Sequence, residues 1–448
     1  MKRTCLHTIT YTPEKKSCEF PAYRTGGHPA IKKANYSRMK KIFTISSPLV
    51  LLAFFIVACE FRPDIYEFKV DEYVYEIPDV PVTEDYIVGV AYDTKFRDTL
   101  ANVWWDNTLK AHQLYTGTPL LGEYDHREDI DVLRQHLDWG KEAGIDFFML
   151  NWGGRGFNDT ILVNWEMLYR EDNARPKVVL RFDPGYRFGT GKDTLQNNQV
   201  QMDSLRIDLD SIYTHVILHD FAYKKSDGKP VVVLCNFTNS GQITHLNNFV
   251  KFLTGSETIQ SKIWLVAELG GGWTSPERWG YNAANGYDGT TDGYVKPDTI
   301  KSFDAFFITD ISHNNYDRYH SQYSYLDYNY NYWQERMRPL GKEFIPTIQP
   351  GFDDRIFNPS SDRFFIPRWK DGKAYVLSSM VDSMQYDFSS ITENPFKKWA
   401  NVAKRNVGES RIVMIYNWND FTSGRNMEPT LEFGTDYLNY TREFFKKQ

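Results

Sequence analysis

The sequence is poor in cysteine and carries no recognisable metal-binding motif. Its 448 residues include only four cysteines: Cys5, Cys18, Cys59 and Cys235. Cys235 lies within an apolar run and is most simply a buried small residue, so we expect no disulfide inside the folded domain. The ten histidines are scattered, and neither HExxH nor HxH follows an apolar run. This argues against a metallohydrolase, and we expect neither a metal nor a cofactor.

A basic stripe and two common catalytic signatures are also missing. The formal net charge is −6, with acidic and basic residues interspersed, so nucleic acid is not an expected partner. No GxSxG elbow is present, and no GxGxxG follows the first apolar run, which disfavours a serine hydrolase and a nucleotide-binding sheet. Aromatic residues, in contrast, reach 16%. They fit either a large core with a Tyr-rich surface or platforms on which sugar rings stack.

The N-terminal region has the pattern of an export signal. Met39-Lys40-Lys41 is followed by an unbroken apolar run, Leu49–Ala58, about half as long as a membrane-spanning helix requires. The run ends in Ile56-Val57-Ala58-Cys59, which resembles the lipobox of bacterial lipoproteins. We therefore expect lipid on Cys59. A secretory signal with an incidental cysteine, or a true membrane anchor, are the alternatives.

These features define the expected organisation of the chain. Residues 1–38 are expected to lie upstream of the true start, and residues 39–58 to form the signal peptide. Residues 59–85 are acidic, contain three prolines and read as a tether. The folded part is then 86–448, held to the cell envelope through its lipid, most simply at the periplasmic or surface face of the outer membrane. The sequence does not predict an oligomeric state.

Apolar strand patterns and amphipathic helix patterns alternate along 86–448. The predicted strands are near-continuous runs of β-branched and aromatic residues, as in parallel strands covered on both faces. They span residues 86–92, 145–152, 177–182, 230–237, 262–269, 304–311, 344–349 and 411–418. Eight β-then-α units predict an α/β fold, a single-domain (β/α)8 TIM barrel, with an open doubly wound sheet as the alternative.

Polar and aromatic side chains recur where the predicted strands end. The active site of a (β/α)8 barrel lies at these carboxyl ends. A carboxylate-rich ring without a His/Cys set fits glycoside hydrolysis, in which one group protonates the leaving oxygen and another attacks or activates the nucleophile. Any one of these residues, taken alone, is equally explained as a helix cap or loop partner. The ring comprises Tyr92, Asp93, Asn151, Trp152, Arg181, Asp183, Asn236, Glu268, Asp310, Gln349, Asn417, Trp418, Asn419 and Asp420.

Three segments resemble the glycoside hydrolase family 99-like (family 71/99-like) group. NWNDFTSGRNMEP at Asn417–Pro429, followed by FGTDYL, is similar to its last-strand signature N-E-W-x-E-G-x-x-x-E-P. LGEYDHREDIDVLRQHLDWGKEAGIDFFMLNW at Leu121–Trp152 resembles its early segment, and PTIQPGFDDR at Pro346–Arg355 its seventh-strand P-G-[FY]-D-D. The resemblance implies a (β/α)8 endo-acting α-mannosidase or α-mannanase, and hence an α-mannoside or related glycan as substrate.

The resemblance also implies roles for individual residues. The first signature glutamate, thought to act as a base on the sugar 2-hydroxyl through an anhydro-sugar intermediate, falls on Asp420. The second, the acid/base, falls on Ser423, which cannot protonate a glycosidic oxygen near neutral pH. Glu428 matches the glutamate of the final Glu-Pro pair. Trp152 matches the aromatic wall of the sugar site and Tyr92 the tyrosine of the first strand.

Because Ser423 stands where the family has its acid/base glutamate, three alternatives are open. Another acid takes over, the substrate and mechanism have diverged, or the barrel binds glycans without cleaving them. The leading hypothesis is a hydrolase of an α-linked glycan with catalytic candidates Asp420, Glu428, Glu268 and Asp310. The alternative is a non-catalytic glycan-binding lipoprotein, and Asp420 is equally placed to cap the turn that follows it.

Two long loops, 270–299 and 351–394, follow predicted strands and are expected to frame the cleft. Their Trp273, Trp279 and Phe352 are either sugar platforms or packing groups. The expected substrate-binding residues are Tyr92, Trp152, Asn151, Arg181, Asp183, Asn417, Trp418, Asn419 and Asp353.

Overall fold

A computed structural model describes the chain over a defined set of residues. These are 75–94, 117–125, 129–153, 159–182, 203, 207, 210–234, 263–269, 303–309, 319–353, 366–375 and 391–448, and all belong to one compact unit, Phe68–Gln448. The predictions for the export signal, Cys59, Asp183, Asp310, Trp273 and Trp279 lie outside this set. Within it, no helix combines the length and apolarity needed to cross a bilayer.

Nine parallel strands form one sheet, and the predicted α/β barrel fold is confirmed. In spatial order the sheet runs β7-β6-β5-β4-β3-β2-β1-β11-β8, with every neighbouring pair parallel. The strands are β1 Ile87–Tyr92, β2 Phe147–Trp152, β3 Lys177–Phe182, β4 Val231–Leu234, β5 Trp264–Leu269, β6 Ala305–Ile308, β7 Glu343–Phe344, β8 Thr347–Ile348 and β11 Ile412–Ile415. Two further strands, β9 Arg368–Lys370 and β10 Lys373–Tyr375, form a separate antiparallel hairpin.

The two outermost strands of the sheet are halves of one chain segment. β7 pairs with β6, and β8 pairs with β11, so residues 343–348 close the ring of strands. Hydrogen bonds continue across the break: the Ile345 amide donates to the Phe306 carbonyl at 2.7 Å, and the Met414 amide donates to the Pro346 carbonyl at 3.0 Å. Pro346 has no amide hydrogen to donate, which explains why the predicted seventh strand is interrupted there.

Helices follow the strands on the outside of the sheet. In α1, the Asp129 side chain caps the first turn, and Gly144 ends the helix with φ +73°, a left-handed backbone that glycine adopts most readily. Between β3 and β4, the described residues include a π-helix, Tyr213–Ile217. The α-helices are α1 Ile130–Ala143, α2 Asp159–Glu171, α3 Tyr319–Met337, α4 Pro395–Asn406 and α5 Asp436–Phe445.

Side chains alternate between the barrel interior and the layer under the helices. One buried cluster fills the interior, with Phe147, Val266 and Met414 among its members. A larger cluster, including Phe148 and Trp399, lies between strands and helices. This alternation is the two-residue period of a strand, and it decides which strand-end residues face the interior.

The last part of the predicted tether packs onto the helices. Asp79 accepts hydrogen bonds from Lys397 at 2.7 Å and from the Asn401 amide at 2.8 Å, both on α4. The Lys404 ammonium donates to the Val80 carbonyl at 2.6 Å. A free tether therefore ends before residue 79, because Asp79 and Val80 are hydrogen-bonded to side chains of α4.

Candidate active site

Three polar side chains meet at the carboxyl end of the barrel interior. The Arg181 guanidinium forms two hydrogen bonds with Glu268, one of them Nη2 to Oε1 at 2.7 Å, and its Nη1 donates to Asn151 Oδ1 at 2.7 Å. Both Glu268 oxygens accept, so this is a bidentate carboxylate–guanidinium pair. Glu268 is 2% exposed, whereas Asn151 and Arg181 are only partly buried. All three are among the predicted strand-end residues, and the structure brings them together.

Tyr416, directly after β11, faces the same polar group. Burial raises the pKa of its hydroxyl well above the ordinary value of 10.0, so the hydroxyl keeps its proton at neutral pH. Charged side chains that act on this hydroxyl are Arg181, Glu268, Arg425 and Asp93. The candidate site therefore combines the Arg181–Glu268 ion pair with the protonated hydroxyl of Tyr416.

The segment after Tyr416 folds into a tight loop around Asp420. Asp420 Oδ1 accepts from the Thr422 amide at 3.2 Å and from the Thr422 hydroxyl at 2.5 Å, while Oδ2 accepts from the Ser423 hydroxyl at 2.5 Å. The carboxylate is 7% exposed. Asp420 thus caps its own turn, which was the alternative to a catalytic role, and Ser423 is a hydrogen-bond donor to it.

A second loop, which follows β8, packs against the Asp420 loop. The Asp353 amide donates to the Ser423 carbonyl at 2.8 Å. The Arg425 guanidinium lies 4.7 Å from the Phe352 ring centroid and 5.5 Å from that of Tyr416. Phe352 is 1% exposed, so of the two alternatives left open for it, sugar platform or packing group, the structure favours the packing group.

Glu428 lies in a buried polar network between α1 and the sheet. Its Oε2 accepts from the Tyr124 hydroxyl at 2.5 Å, and its Oε1 lies 3.3 Å from His136 Nε2. The other ring nitrogen of His136 is 2.8 Å from the Tyr92 hydroxyl. Burial raises the pKa of both tyrosines well above the ordinary value, and the Glu428 charge adds to that shift. The network is buried and holds the end of the signature loop, Asn417–Pro429.

This placement corrects four sequence-based assignments. Glu428, expected among the catalytic candidates, is 1% exposed and lies outside the barrel interior. Tyr92, Trp152 and Trp418, expected to contact substrate, all belong to the buried layer beneath the helices. The physical reason is strand parity: interior residues of β2 are Phe147 and Met149, so residue 151 points inward and Trp152 outward.

Asn417 and Asn419, also expected to bind substrate, fasten the loop to the end of β1. The Asn419 amide donates to Asn417 Oδ1 at 2.9 Å. The Asn419 side chain accepts from the Asp93 amide at 2.9 Å and donates to the Asp93 carbonyl at 3.0 Å. Their side-chain groups are therefore used within the protein, as expected of residues that set the position of Asp420.

Two residues of the site region were missed by sequence reasoning. His136 occupies the apolar face of α1 together with Leu133, Leu137 and Gly140, and that helical spacing was a readable signal for burial. Arg368 begins a hairpin within a segment expected to be loop, and its partners are backbone carbonyls of Gly424 and Asn426. Within the described ranges, no group of three His, Cys, Asp or Glu side chains is arranged to hold a metal ion.

The chain is similar to known proteins in sequence and in fold. A sequence model of the family described as glycosyltransferase WbsX matches residues 189–441, more than half of the chain. No curated protein sequence matches. Among solved structures, a glycoside hydrolase-like protein is similar with a TM-score of 0.60 and 19% identity, over 85% of this chain and 99% of that one.

A second solved structure is that of an endo-α-mannosidase of glycoside hydrolase family 99 from Bacteroides thetaiotaomicron. It is similar with a TM-score of 0.50 and 14% identity, over 81% of this chain and 97% of that one. At these identities the likeness establishes the fold. Together with the WbsX match, it confirms the family 99-like relationship expected from the signature segments.

Proposed function

The chain belongs to the glycosyltransferase WbsX family, and from that premise we propose that it cleaves an α-linked glycan at the carboxyl end of its barrel, with Asp420 as the base. The observation that supports this most is the position of Asp420. The sequence resemblance aligns it with the family's base, and its carboxylate is 7% exposed and accepts hydrogen bonds from hydroxyl groups on both oxygens. An α-mannoside is the substrate class that the structural relatives suggest.

The acid in this proposal is a group other than Ser423. Glu268 is engaged by Arg181 through both oxygens, and Glu428 lies in the buried layer beneath α1, so neither is placed to protonate a leaving group. Asp353 is the better candidate among the described carboxylates, because its backbone amide contacts the Ser423 carbonyl at 2.8 Å. An acid there would stand beside the position from which the family's glutamate is missing.

The test is turnover of a panel of α-mannosyl oligosaccharides by the purified chain, followed by product mass analysis. We expect Asp420→Asn, which keeps the shape and one acceptor oxygen, to lower kcat by about 10²–10⁴-fold. Asp353→Asn should lower kcat by a similar factor. Asp371→Asn, on the β9–β10 turn, is the matched control and should leave turnover unchanged.

Full activity of Asp420→Asn would refute the base assignment. If products appear only when a sugar hydroxyl acceptor and an activated sugar donor are supplied, the reaction is transfer, as the family description states.

A second candidate function, glycan binding without cleavage, is favoured by one observation. Ser423, at the acid position, donates to Asp420 at 2.5 Å, so the pair of carboxylates that hydrolysis needs is absent from the signature loop. Binding of an α-mannosyl oligosaccharide by the wild-type chain without any product after prolonged incubation would establish this candidate and exclude the first.

We further propose that the domain is exported and held at the cell envelope by lipid on Cys59, as the lipobox-like sequence indicates. Cys59→Ala should leave the precursor uncleaved or release the protein from the detergent phase. Normal size and continued detergent partitioning of that variant would contradict the anchor.

A further inference from the structure

Arg368 is a buried cation at the meeting point of several segments. Its side chain is 5% exposed and lies against two aromatic rings, 4.4 Å from the Phe433 centroid and 3.9 Å from that of Tyr437. Across the described part of the chain it forms no ion pair with a carboxylate. Its hydrogen-bond acceptors are neutral oxygens of the signature loop.

Those hydrogen bonds fix the far side of the Asp420 loop. Arg368 Nη1 donates to the Asn426 carbonyl at 2.7 Å, to Asn426 Oδ1 at 3.2 Å and to the Gly424 carbonyl at 3.4 Å. The loop segment that these oxygens belong to is next to Ser423. The Arg425 amide in turn donates to the Asp420 carbonyl at 3.2 Å, so one guanidinium restrains the backbone on which Asp420 and Ser423 are mounted.

The segment after β8 packs closely against the Arg368 side chain. A Cβ added at Gly351 would come within 2.4 Å of Arg368 Cδ and 2.9 Å of the Gly424 carbonyl oxygen. Residue 351 must therefore be glycine for the two loops to close over the arginine. Asp353, two residues on, then donates its amide to the Ser423 carbonyl.

A buried guanidinium without an ion-pair partner is unfavourable for stability alone, because desolvation is the largest effect on the pKa of Arg368 and the Glu432 charge offsets it only in part. An apolar residue of similar length would fill the space between the rings without that penalty. The guanidinium supplies what an apolar residue lacks: its Nη1 group donates to loop carbonyls from a fixed plane.

We propose that Arg368 is a positioning residue for the reaction, holding the Gly424–Asn426 carbonyls so that Asp420 and Ser423 keep their arrangement towards the glycan. The proposal rests on the proposed function for its catalytic consequence. Its structural half, the restraint of the loop by Arg368, stands without it.

The experiment compares Arg368→Met, Arg368→Lys and a control, Lys370→Met, in the full chain. Lys370 is on the same strand and its ammonium lies 5.6 Å from the Tyr375 ring centroid, so the control removes a cation from the same hairpin. Amide hydrogen exchange is followed at Arg425, Met427 and Asp353, and kcat and KM are measured on the α-mannosyl oligosaccharides.

In Arg368→Met, exchange at these three amides should rise about tenfold or more, the equivalent of losing one hydrogen bond to a charged group. Amides of β1–β3 should not change. The value of kcat should fall by about 10²-fold with little change in KM, as expected when reacting groups are displaced by about 1 Å. Arg368→Lys should recover part of kcat, and Lys370→Met should match wild type.

Unchanged exchange at the loop amides in Arg368→Met would overturn the proposal, as would faster exchange spread evenly over the barrel with kcat intact. If Arg368→Met does not fold, Arg368→Lys decides by the same comparison of loop and barrel amides. A wild-type chain inactive on every glycan would refute the proposed hydrolase. The exchange result would still show whether Arg368 restrains the loop.

Discussion

The buried His136–Glu428 pair leads to a prediction about the free energy of unfolding. The burial of both side chains sets the magnitude of the expected effect. His136 and Glu428 are each fully buried at the side chain, 3.3 Å apart between Nε2 and Oε1. Replacing His136 by Leu keeps the side-chain volume nearly constant but removes the polar neighbour of Oε1, which lies 3.3 Å from that oxygen. It also removes the partner that the Tyr92 hydroxyl has at 2.8 Å. The remaining donor to Glu428 is the Tyr124 hydroxyl.

Removing the polar neighbour of a buried carboxyl group leaves that group against an apolar side chain, which destabilises proteins by about 1–3 kcal/mol. We therefore expect His136→Leu to lower the free energy of unfolding by about 2 kcal/mol. The second substitution Glu428→Met removes the buried carboxyl group itself. The double variant should be more stable than His136→Leu by about 1 kcal/mol, since replacing both partners by apolar groups is far less harmful than replacing one.

The assay is urea unfolding at pH 7, followed by circular dichroism, on the single and double variants. The matched control is His219→Leu. His219 also lies 2.9 Å from a glutamate, Glu166, but their side chains are 38% and 24% exposed, and such a pair contributes about 0–1 kcal/mol. Equal losses for His136→Leu and His219→Leu, or strictly additive effects of the two substitutions at the buried pair, would refute the argument.

Two further predictions concern the barrel interior and the N-terminal segment. Gly89→Ala should destabilise the fold by about 3 kcal/mol, because the new Cβ would lie 2.2 Å from Phe147 Cζ; Phe147→Leu in the same chain should restore part of this loss in urea unfolding. Burial lowers the pKa of Lys404 from 10.5 to about 8, so above pH 8 the unfolded chain holds more protons at this site than the folded one. The free energy of unfolding of wild type, minus that of Lys404→Met, should therefore be larger at pH 9.5 than at pH 7. A difference that stays constant or falls over this range would contradict the lowered pKa of Lys404.

The barrel was readable from the sequence because its strands are buried on both faces. Continuous apolar runs separated by amphipathic helices specify a parallel sheet irrespective of loop content. The interruption of the seventh strand at Ile345–Pro346 could not be predicted in the same way. An apolar run that includes a proline fits an edge strand as well as a break, and the choice depends on which neighbours, β6 and β11, pair with each half.

The site was only partly predictable, for two physical reasons. Strand ends were identified, but the face that each residue occupies follows from the two-residue period, which separates inward Asn151 from outward Trp152. Assigning alternate residues to opposite faces, counted back from the last residue of each strand, would have separated the inward-facing side chains from the outward-facing ones. Arg368 left no such signal, since its partners are backbone carbonyls, and a carbonyl acceptor has no residue identity to recognise.

Turn capping and base catalysis by Asp420 are compatible, and their relation gives a last prediction. A glutamate at position 423, as in the family signature, would bring a second carboxylate to the place where the Ser423 hydroxyl now donates to Asp420 Oδ2 at 2.5 Å. Ser423→Glu should therefore replace an attraction by a repulsion. We expect it to lower the free energy of unfolding by about 1–3 kcal/mol at pH 7.

The loss should be smaller near pH 4, where one of two adjacent carboxylates takes up a proton more readily. Urea unfolding of Ser423→Glu and of Ser423→Ala at both pH values separates the two contributions. The alanine loses only the hydrogen bond, so its deficit should lack the additional repulsion at pH 7. A glutamate variant as stable as wild type at pH 7 would mean that the 420 and 423 side chains do not face each other. If instead the glutamate variant is less stable and cleaves glycan faster, the serine is a substitution that stabilises the loop at the expense of the acid.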